Sequence, residues 1–198
     1  GAGHFEPLRH YAEVQLLLEP GKRGSGLVFE RALPTDRLAR HWQRLILSQL
    51  AAKRHKGVLT GSEVTDMKVT LIAGRAHLKH TEGGDFRQAA YRALRQGLMM
   101  TENVLLEPYY RFSLELPMEN TGRAMSDLTR AGAEFELSES LASESTSVIT
   151  GRGPVSALKD YPAEIAAYTK GSGTISFAPD GYDICKNAAE VIERIGYD

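Results

Sequence analysis

Residues 104–117, VLLEPYYRFSLELP, mark a boundary in the chain and then begin a strand. Proline disfavours helix at the residue before it, so we place a domain boundary at Leu106-Glu107-Pro108. Beyond it, apolar and polar side chains alternate strictly, which is typical of a half-buried strand. The stretch therefore predicts a new domain that opens with a strand. The apolar members of the alternation are Tyr110, Phe112, Leu114 and Leu116.

The residues after this strand predict the rest of that domain. Their order of elements, β-α-β-β-α-β, is the ferredoxin-like arrangement. Pro162 lies inside the second predicted helix and should kink or interrupt it. The predicted elements are a helix over Gly122–Ala131, a strand over Ala133–Leu137, a strand near Val148–Arg152, a helix near Val155–Tyr168, a strand near Thr174–Phe177 and a terminal helix beginning in Asn187–Ile195.

The residues before the boundary predict a separate α+β domain. One helix is predicted from an N-cap at Thr35 to a stop at Gly57, and a second from an N-cap at Asp85. Gly1-Ala2-Gly3 resembles an expression scar, and we expect it to lie outside the fold. Alternation predicts strands over Ala12–Leu18, Leu27–Glu30 and Met67–Leu71.

The composition excludes several classes of protein. With 42% hydrophobic and 25% charged residues over 198 positions, the chain is neither globally disordered nor collagen-like. No apolar run approaches the roughly 18–20 residues that cross a bilayer, and the N-terminal residues lack a secretory pattern. The single cysteine, Cys185, excludes a disulfide framework and fits a reducing compartment. We therefore expect a cytoplasmic protein without a membrane partner.

The net charge of −1 hides a division between the two halves. Residues 1–107 carry 16 Lys and Arg against 11 Asp and Glu, a surplus of +5, and hold all six histidines. Residues 108–198 carry 8 basic against 14 acidic residues, which gives −6. This division predicts two domains with different surroundings, the first of which faces a polyanion.

Three basic segments in the first half are candidate RNA-binding sites. They are Lys22-Arg23 in a glycine-rich loop, Lys53-Arg54-His55-Lys56 after a predicted helix, and the polar loop His77-Leu78-Lys79-His80-Thr81-Glu82. Lysine and arginine contact phosphates without reading sequence, and histidine can stack on an exposed base. Together with the charge division, these segments favour RNA binding.

Two other classes of function remain open at this stage. His77, His80 and Glu82 are residue types that bind zinc, so a small metal-dependent enzyme using this loop is one alternative. A generic protein-interaction module without an RNA partner is the other. The sequence has no Gly-x-x-x-x-Gly-Lys-Ser/Thr phosphate loop, since Lys170-Gly171-Ser172-Gly173 leads into a strand, and it shows no Ser/His/Asp set.

The chain resembles domains IV and V of elongation-factor-G-type translational GTPases. The segments that carry the resemblance are Val64-Thr65-Asp66, Gly74-Arg75-Ala76-His77, Asp85-Phe86-Arg87-Gln88-Ala89-Ala90, Val104-Leu105-Leu106-Glu107-Pro108, Gly122, Gly132, Tyr161, Thr169-Lys170-Gly171-Ser172-Gly173 and Gly181-Tyr182. Within that superfamily it is most similar to the tetracycline-resistance ribosomal protection proteins, through Leu18-Glu19-Pro20 and Gly24-Ser25-Gly26-Leu27-Val28. It differs from them at the loop Leu78-Lys79-His80-Thr81, where they carry a tyrosine-serine-proline run, and it has Ala166-Ala167 where elongation factors have an arginine-serine pair.

The resemblance implies both a fold and a role. The implied fold is α+β, with a domain-IV-like β-α-β fold containing a left-handed crossover at 4–106, a ferredoxin-like domain V at 107–183 and the start of a C-terminal extension at 184–198. The implied role is a non-enzymatic, monomeric fragment that binds the ribosome and not DNA, with the loop His77–Glu82 reaching small-subunit ribosomal RNA at the decoding region. GTP and Mg would be cofactors of the full-length parent, bound by an N-terminal domain, and this fragment would bind none.

Overall fold

The computed structural model describes residues 1–139 and 141–198. The chain forms two compact units. The N-terminal unit consists of residues 1–103 together with 187–198, and the C-terminal unit consists of residues 104–186.

The N-terminal unit is built on a four-stranded sheet in the order β1-β2-β4-β3. Strands β1, β2 and β4 pair antiparallel, whereas β3 and β4 are parallel and are joined through helix α1, which makes a β-α-β unit. The bounds are β1 Ala2–Phe5, β2 Ala12–Pro20, β3 Leu27–Arg31, α1 Arg40–Ala51, β4 Met67–Ala76 and α2 Gly83–Met100; the last helix of the chain, α6 (Ala188–Ile195), also belongs to this unit.

Helix α2 lies close against this sheet because its buried face consists largely of small residues. Ala89, Ala90 and Ala93 are fully buried. Gly3 of β1 passes so near the helix that a Cβ atom at this position would lie 1.8 Å from the Ala89 carbonyl oxygen. The interpretation of residues 1–3 as a scar outside the fold is therefore wrong: Ala2 and Gly3 pair with Gln15 and Val14 of β2.

The predicted ends of helix α1 are also wrong. Residues 34–38 form a turn in which the Pro34 carbonyl accepts hydrogen bonds from Arg37 and Leu38, so Thr35 caps nothing and the helix begins at Arg40. The helix ends at Ala51, well before Gly57. Close to that end, the buried ring of His55 hydrogen-bonds the Leu50 carbonyl over 2.7 Å, and this contact satisfies a carbonyl that the helix leaves free.

Helix α2 begins with a reciprocal capping box. Glu82 is the N-cap and Asp85 is the third helical residue, so the prediction of Asp85 as the N-cap is wrong by three positions. The Glu82 side chain accepts from the Asp85 amide, and the Asp85 carboxylate accepts from the Glu82 amide over 2.8 Å. Two amides that a helix start leaves unpaired are thereby satisfied.

The C-terminal unit has the predicted ferredoxin-like fold. Its four-stranded antiparallel sheet has the order β6-β7-β5-β8, and helices α3, α4 and α5 lie between strands in the sequence β-α-β-β-α-β. The bounds are β5 Leu106–Pro117, a 3-10 turn Met118–Asn120, α3 Thr121–Arg130, β6 Glu134–Leu137, β7 Thr146–Pro154, α4 Val155–Leu158, α5 Tyr161–Tyr168 and β8 Thr174–Ile184. The fold-class prediction, two α+β domains, is confirmed.

Pro162 has the effect expected of a proline inside a predicted helix. The segment Val155–Tyr168 is divided into α4 and α5, and Pro162 stands in the first turn of α5. Proline is accepted there because a first-turn amide has no partner within the helix. The buried side chains of Leu114, Ile149 and Ile165 form the core beneath these helices.

Candidate nucleic-acid interface

The loop His77–Glu82 connects the end of β4 to the start of α2, at one end of the N-terminal unit. It closes as a tight turn, because the His80 amide donates to the His77 carbonyl over 3.3 Å and the Lys79 amide donates to His77 Nδ1 over 3.2 Å. The rings of His77 and His80 stack with centroids 4.6 Å apart. Leu78, between them in sequence, is fully exposed.

A second segment, the β1–β2 connection at residues 6–11, lies directly beside this loop. The Tyr11 amide donates to the His80 carbonyl over 2.8 Å, and the Thr81 hydroxyl donates to the Tyr11 carbonyl over 2.7 Å. We call residues 6–11 and 77–82 together the tip. The sequence analysis did not identify residues 6–11 as part of this site. Like Leu78 and Lys79 in the other loop, Leu8 and Arg9 provide an exposed apolar and an exposed basic side chain, and the structure holds Arg9 at φ 65°.

The Asp85 carboxylate connects the two halves of the tip. Its side chain is 5% exposed, and Oδ1 lies 3.0 Å from His10 Nδ1 in the β1–β2 connection. Oδ2 accepts from the Glu82 amide at the end of the other loop. One buried carboxylate therefore fixes both loops against the start of α2, which presents the tip residues in a defined arrangement.

Lys22 and Arg23, the other predicted RNA-binding residues, lie at the opposite end of the sheet. Strand β2 begins next to the tip at Ala12 and ends at Pro20, two residues before Lys22. Nine extended residues span about 30 Å. The two segments therefore do not form one site, because the sheet that joins them also holds them apart.

Asp66 holds the loop that carries Lys22 and Arg23. Its carboxylate accepts from the Gly24 amide over 3.0 Å and from the Gly26 amide over 2.9 Å. The hydrogen bond from Gly24 is the largest of the effects that lower the pKa of Asp66 below its usual value. Both glycines have positive φ angles of 81° and 68°, which the loop needs in order to wrap around the carboxylate.

Three residues of the third basic segment, Lys53–Lys56, make contacts within the fold. His55 is buried between the rings of Phe29 and Tyr91, in addition to its bond to Leu50. The Lys53 ammonium lies 4.5 Å above the Tyr91 ring, and Arg54 is 3.7 Å from Glu63. These contacts give His55 a structural role, whereas the side chains of Lys53, Arg54 and Lys56 are exposed.

Sequence reasoning also passed over a basic corner where β3 leads into α1. Four arginines at this corner are exposed, and none has an ion-pair partner among the described residues. Arg31 and Arg40 line a depression of about 530 Å³ together with Gln43, and Arg37 and Arg44 lie in the same stretch of sequence. The buried Gln43 amide donates to the Leu38 carbonyl over 2.7 Å and so stabilises the turn. The signal in the sequence was the polar face of the predicted helix: Arg37, Arg40 and Arg44, preceded by Arg31.

The structure offers no support to the metal-dependent alternative. Over residues 1–139 and 141–198, no group of three or more His, Cys, Asp or Glu side chains is placed to hold a metal ion. His77 and His80 stack face against face. Nor is any helix in the described part of the chain long and apolar enough to cross a membrane.

Comparison with known proteins identifies the family. Residues 4–102 match the family model "Elongation factor G, domain IV", and residues 104–192 match "Elongation factor G C-terminus". The chain therefore belongs to the elongation factor G family, and it comprises the domain IV and C-terminal regions of that family.

Individual relatives agree with this assignment. The chain is 34% identical over 163 residues to "Tetracycline resistance protein TetP" of Clostridium perfringens, an alignment that covers 82% of this chain and 24% of that protein. The crystal structure of a Thermus thermophilus protein has a similar fold, with a TM-score of 0.85 and 24% identity, over 99% of this chain and 30% of the other. The chain thus spans about a quarter to a third of the length of these relatives.

Proposed function

We propose that this chain is the ribosome-binding region of a translational GTPase, and that its tip reaches small-subunit ribosomal RNA at the decoding region. The observation that carries the proposal is the tip itself. Two loops with exposed basic and apolar side chains are fixed together by Asp85, in a unit that matches domain IV of elongation factor G.

The chemistry of the tip suits irregular, single-stranded RNA. Lys79 and Arg9 are exposed and can neutralise phosphates. The paired rings of His77 and His80 and the exposed side chain of Leu78 present flat and apolar surfaces on which unpaired bases stack. Thr81 and Glu82 contribute mainly by holding the loop, through the bonds to Tyr11 and Asp85.

Lys22 and Arg23 would make a second phosphate contact, separate from the tip. The distance of about 30 Å along β2 corresponds to several nucleotides or to a neighbouring RNA helix. Asp66 occupies the amides of their loop, so the contact would be made by the side chains and not by the backbone.

We infer that GTP and Mg bind to another domain of the parent protein, in the cytoplasm, and that this chain acts as a monomer. The chain by itself is expected to give no heat of binding with GTP and magnesium in calorimetry, because its sequence offers no phosphate loop. Binding tighter than about 1 mM, equivalent to about 4 kcal/mol, would contradict this expectation.

The similarity to TetP supports a finer proposal, that the parent is of the tetracycline-resistance ribosomal protection type. Its loop Leu78-Lys79-His80-Thr81 would then act on the ribosome with side chains different from the tyrosine-serine-proline run of those proteins. Ribosome-dependent protection of translation against tetracycline by the full-length parent would test this; translation as sensitive with the parent as without it would refute it.

The tip is tested with the triple variant Leu78→Ala, Lys79→Ala and His80→Ala. Cosedimentation of the 198-residue chain with small ribosomal subunits should weaken by about tenfold or more, since the variant removes a phosphate contact and two stacking surfaces. A matched control replaces an apolar, a basic and an aromatic side chain that are exposed outside the tip and outside the basic corner, Met99→Ala, Lys159→Ala and Tyr182→Ala. Equal binding by the tip variant, the control and the unaltered chain would refute a role for the tip.

A further inference from the structure

The C-terminal unit carries a surface that its fold leaves open. Helices α3, α4 and α5 pack on one face of the sheet, over the side chains of Phe112, Leu114 and Ile149. The residues between these in sequence point to the other face. There the four strands form a depression of about 690 Å³.

The floor of this depression is made of small side chains. Strand pairing places Ser113 opposite Thr150 on β7 and opposite Ser176 on β8, and Ala178 lies in the next row. Residues of this size leave the backbone of the central strands accessible from outside. Such a floor leaves room for the side chains of a partner.

The charges around the depression are predominantly acidic. Arg111 and Arg152 are both paired with Asp180, at 3.2 Å and 2.8 Å, and Arg152 also lies 2.8 Å from Asp183. Three carboxylates of the same face have no ion-pair partner among the described residues: Glu115, Glu134 and Glu136. Of the charged residues that line the depression, Arg111 and Arg152 are thus neutralised by aspartates, and Glu134 and Glu136 are left, within the described part of the chain, as unpaired negative charges.

The distribution of charge decides the class of partner. Phosphates would be repelled by the unpaired carboxylates, and the two arginines that could attract them are already neutralised by aspartates. Cationic side chains, in contrast, find Glu134 and Glu136 two residues apart on β6, exposed on one side of an apolar depression. Lysine and arginine fit such a surface well, because their aliphatic stems can cover the floor while their charged ends reach the carboxylates.

We propose that the open face of the sheet in the C-terminal unit binds a segment of polypeptide rich in lysine and arginine. The ribosome assignment proposed above supplies the complex in which this segment is sought. The two units would then divide the work: the N-terminal unit contacts RNA through its tip, and the C-terminal unit contacts a basic protein through its open sheet.

Site-specific crosslinking tests this inference. We would place p-benzoylphenylalanine at position 176, on the open face, and irradiate the 198-residue chain bound to purified bacterial ribosomes. The control carries the same group at position 163, an exposed residue of α5 on the helical side. We expect a crosslink from position 176 to a basic protein, at a yield well above that from position 163.

Charge reversal shows whether the carboxylates are responsible. The pair Glu134→Lys and Glu136→Lys should lower the yield from position 176 by about tenfold, because attraction becomes repulsion. The pair Glu119→Lys and Glu164→Lys makes the same change of charge at exposed residues elsewhere in the unit and should leave the yield unchanged.

Each other outcome has a distinct meaning. Crosslinks from position 176 to ribosomal RNA alone, equal yields from both positions, or no effect of reversal at Glu134 and Glu136 would overturn this inference and leave the proposed function standing. Suppose that altering the tip abolishes cosedimentation and that the unaltered chain crosslinks from position 176 to a basic protein. This result supports both the proposed function and the inference about the open face. Failure of the unaltered chain to bind ribosomes would overturn both.

Discussion

Replacement of Asp85 tests how the tip is held together. Asp85→Ala removes the acceptor of the Glu82 amide and the partner of His10 in one change. Asp85→Asn keeps an oxygen acceptor of nearly the same shape but removes the negative charge. Asp36→Ala, at an exposed position of the β3–α1 connection, is the control.

The expected loss in the free energy of unfolding for Asp85→Ala is the sum of three contributions. Loss of the cap on α2 costs about 1 kcal/mol, and loss of negative charge in the first turn costs about 0.5 kcal/mol. The pair with His10 is buried on the Asp85 side and half-exposed on the His10 side, so about 1 kcal/mol is a suitable value. Asp85→Ala is therefore expected to lower the free energy of unfolding by about 2.5 kcal/mol. Asp85→Asn should cost about 1 kcal/mol, and Asp36→Ala less than about 0.5 kcal/mol.

Urea unfolding at pH 7, followed by the fluorescence of the single tryptophan, Trp42, measures these differences. Trp42 lies in α1 with its ring 5.1 Å from that of Phe86, next to Asp85 in α2, so its emission reports on the N-terminal unit. A cost below about 1 kcal/mol for Asp85→Ala, or an equal cost for alanine and asparagine, would refute the role assigned to the buried carboxylate.

Three further predictions concern other parts of the chain. The pKa of Asp66 is lowered in the folded state, so the stability that this carboxylate gives its loop is present above its unfolded pKa and is lost as the pH falls through the folded value. The protection of the Gly24 and Gly26 amides against hydrogen exchange, relative to the intrinsic rate at each pH, should therefore fall in acid, and Asp66→Asn should abolish that pH dependence. Gly3→Val should destabilise the N-terminal unit by about 3 kcal/mol in urea unfolding, since the new side chain would overlap the Ala89 carbonyl. A loss no larger than that of Gly84→Val, where a Cβ atom would meet only the Arg87 guanidinium at 4.0 Å, would contradict the close approach. Residues 104–186, which form a compact unit with its own core, should give dispersed amide resonances when produced alone, and a collapsed spectrum would place the domain boundary elsewhere.

Alternation of apolar and polar residues predicts most of the strands correctly. In β5 the pattern is uninterrupted from Tyr110 to Leu116, and the structure buries its apolar members against α3, α4 and α5. This works because strands have a period of two and one face of the sheet is covered. Helix ends are predicted less well. At α1, a turn held by Pro34 and the ring of His55 fix the ends, and both contacts depend on residues outside the helix.

Strand β1 shows a different limit of the sequence. Gly1-Ala2-Gly3 has no apolar pattern, because its glycines serve to let α2 approach the sheet and not to fill a core. The requirement for glycine here comes from the carbonyl of Ala89, a residue far away in sequence. Local pattern contains no information about such a contact.

The sequence by itself determined the two α+β domains, the division of charge between them and the basic loop at His77–Glu82, because periodicity, charge and motif are all local properties. The tertiary structure alone decided which segments share a site. It joined residues 6–11 to that loop through Asp85 and separated Lys22 and Arg23 from it by the length of β2. Which residues meet in space depends on strand pairing and helix packing, and these are set by contacts between residues distant in sequence.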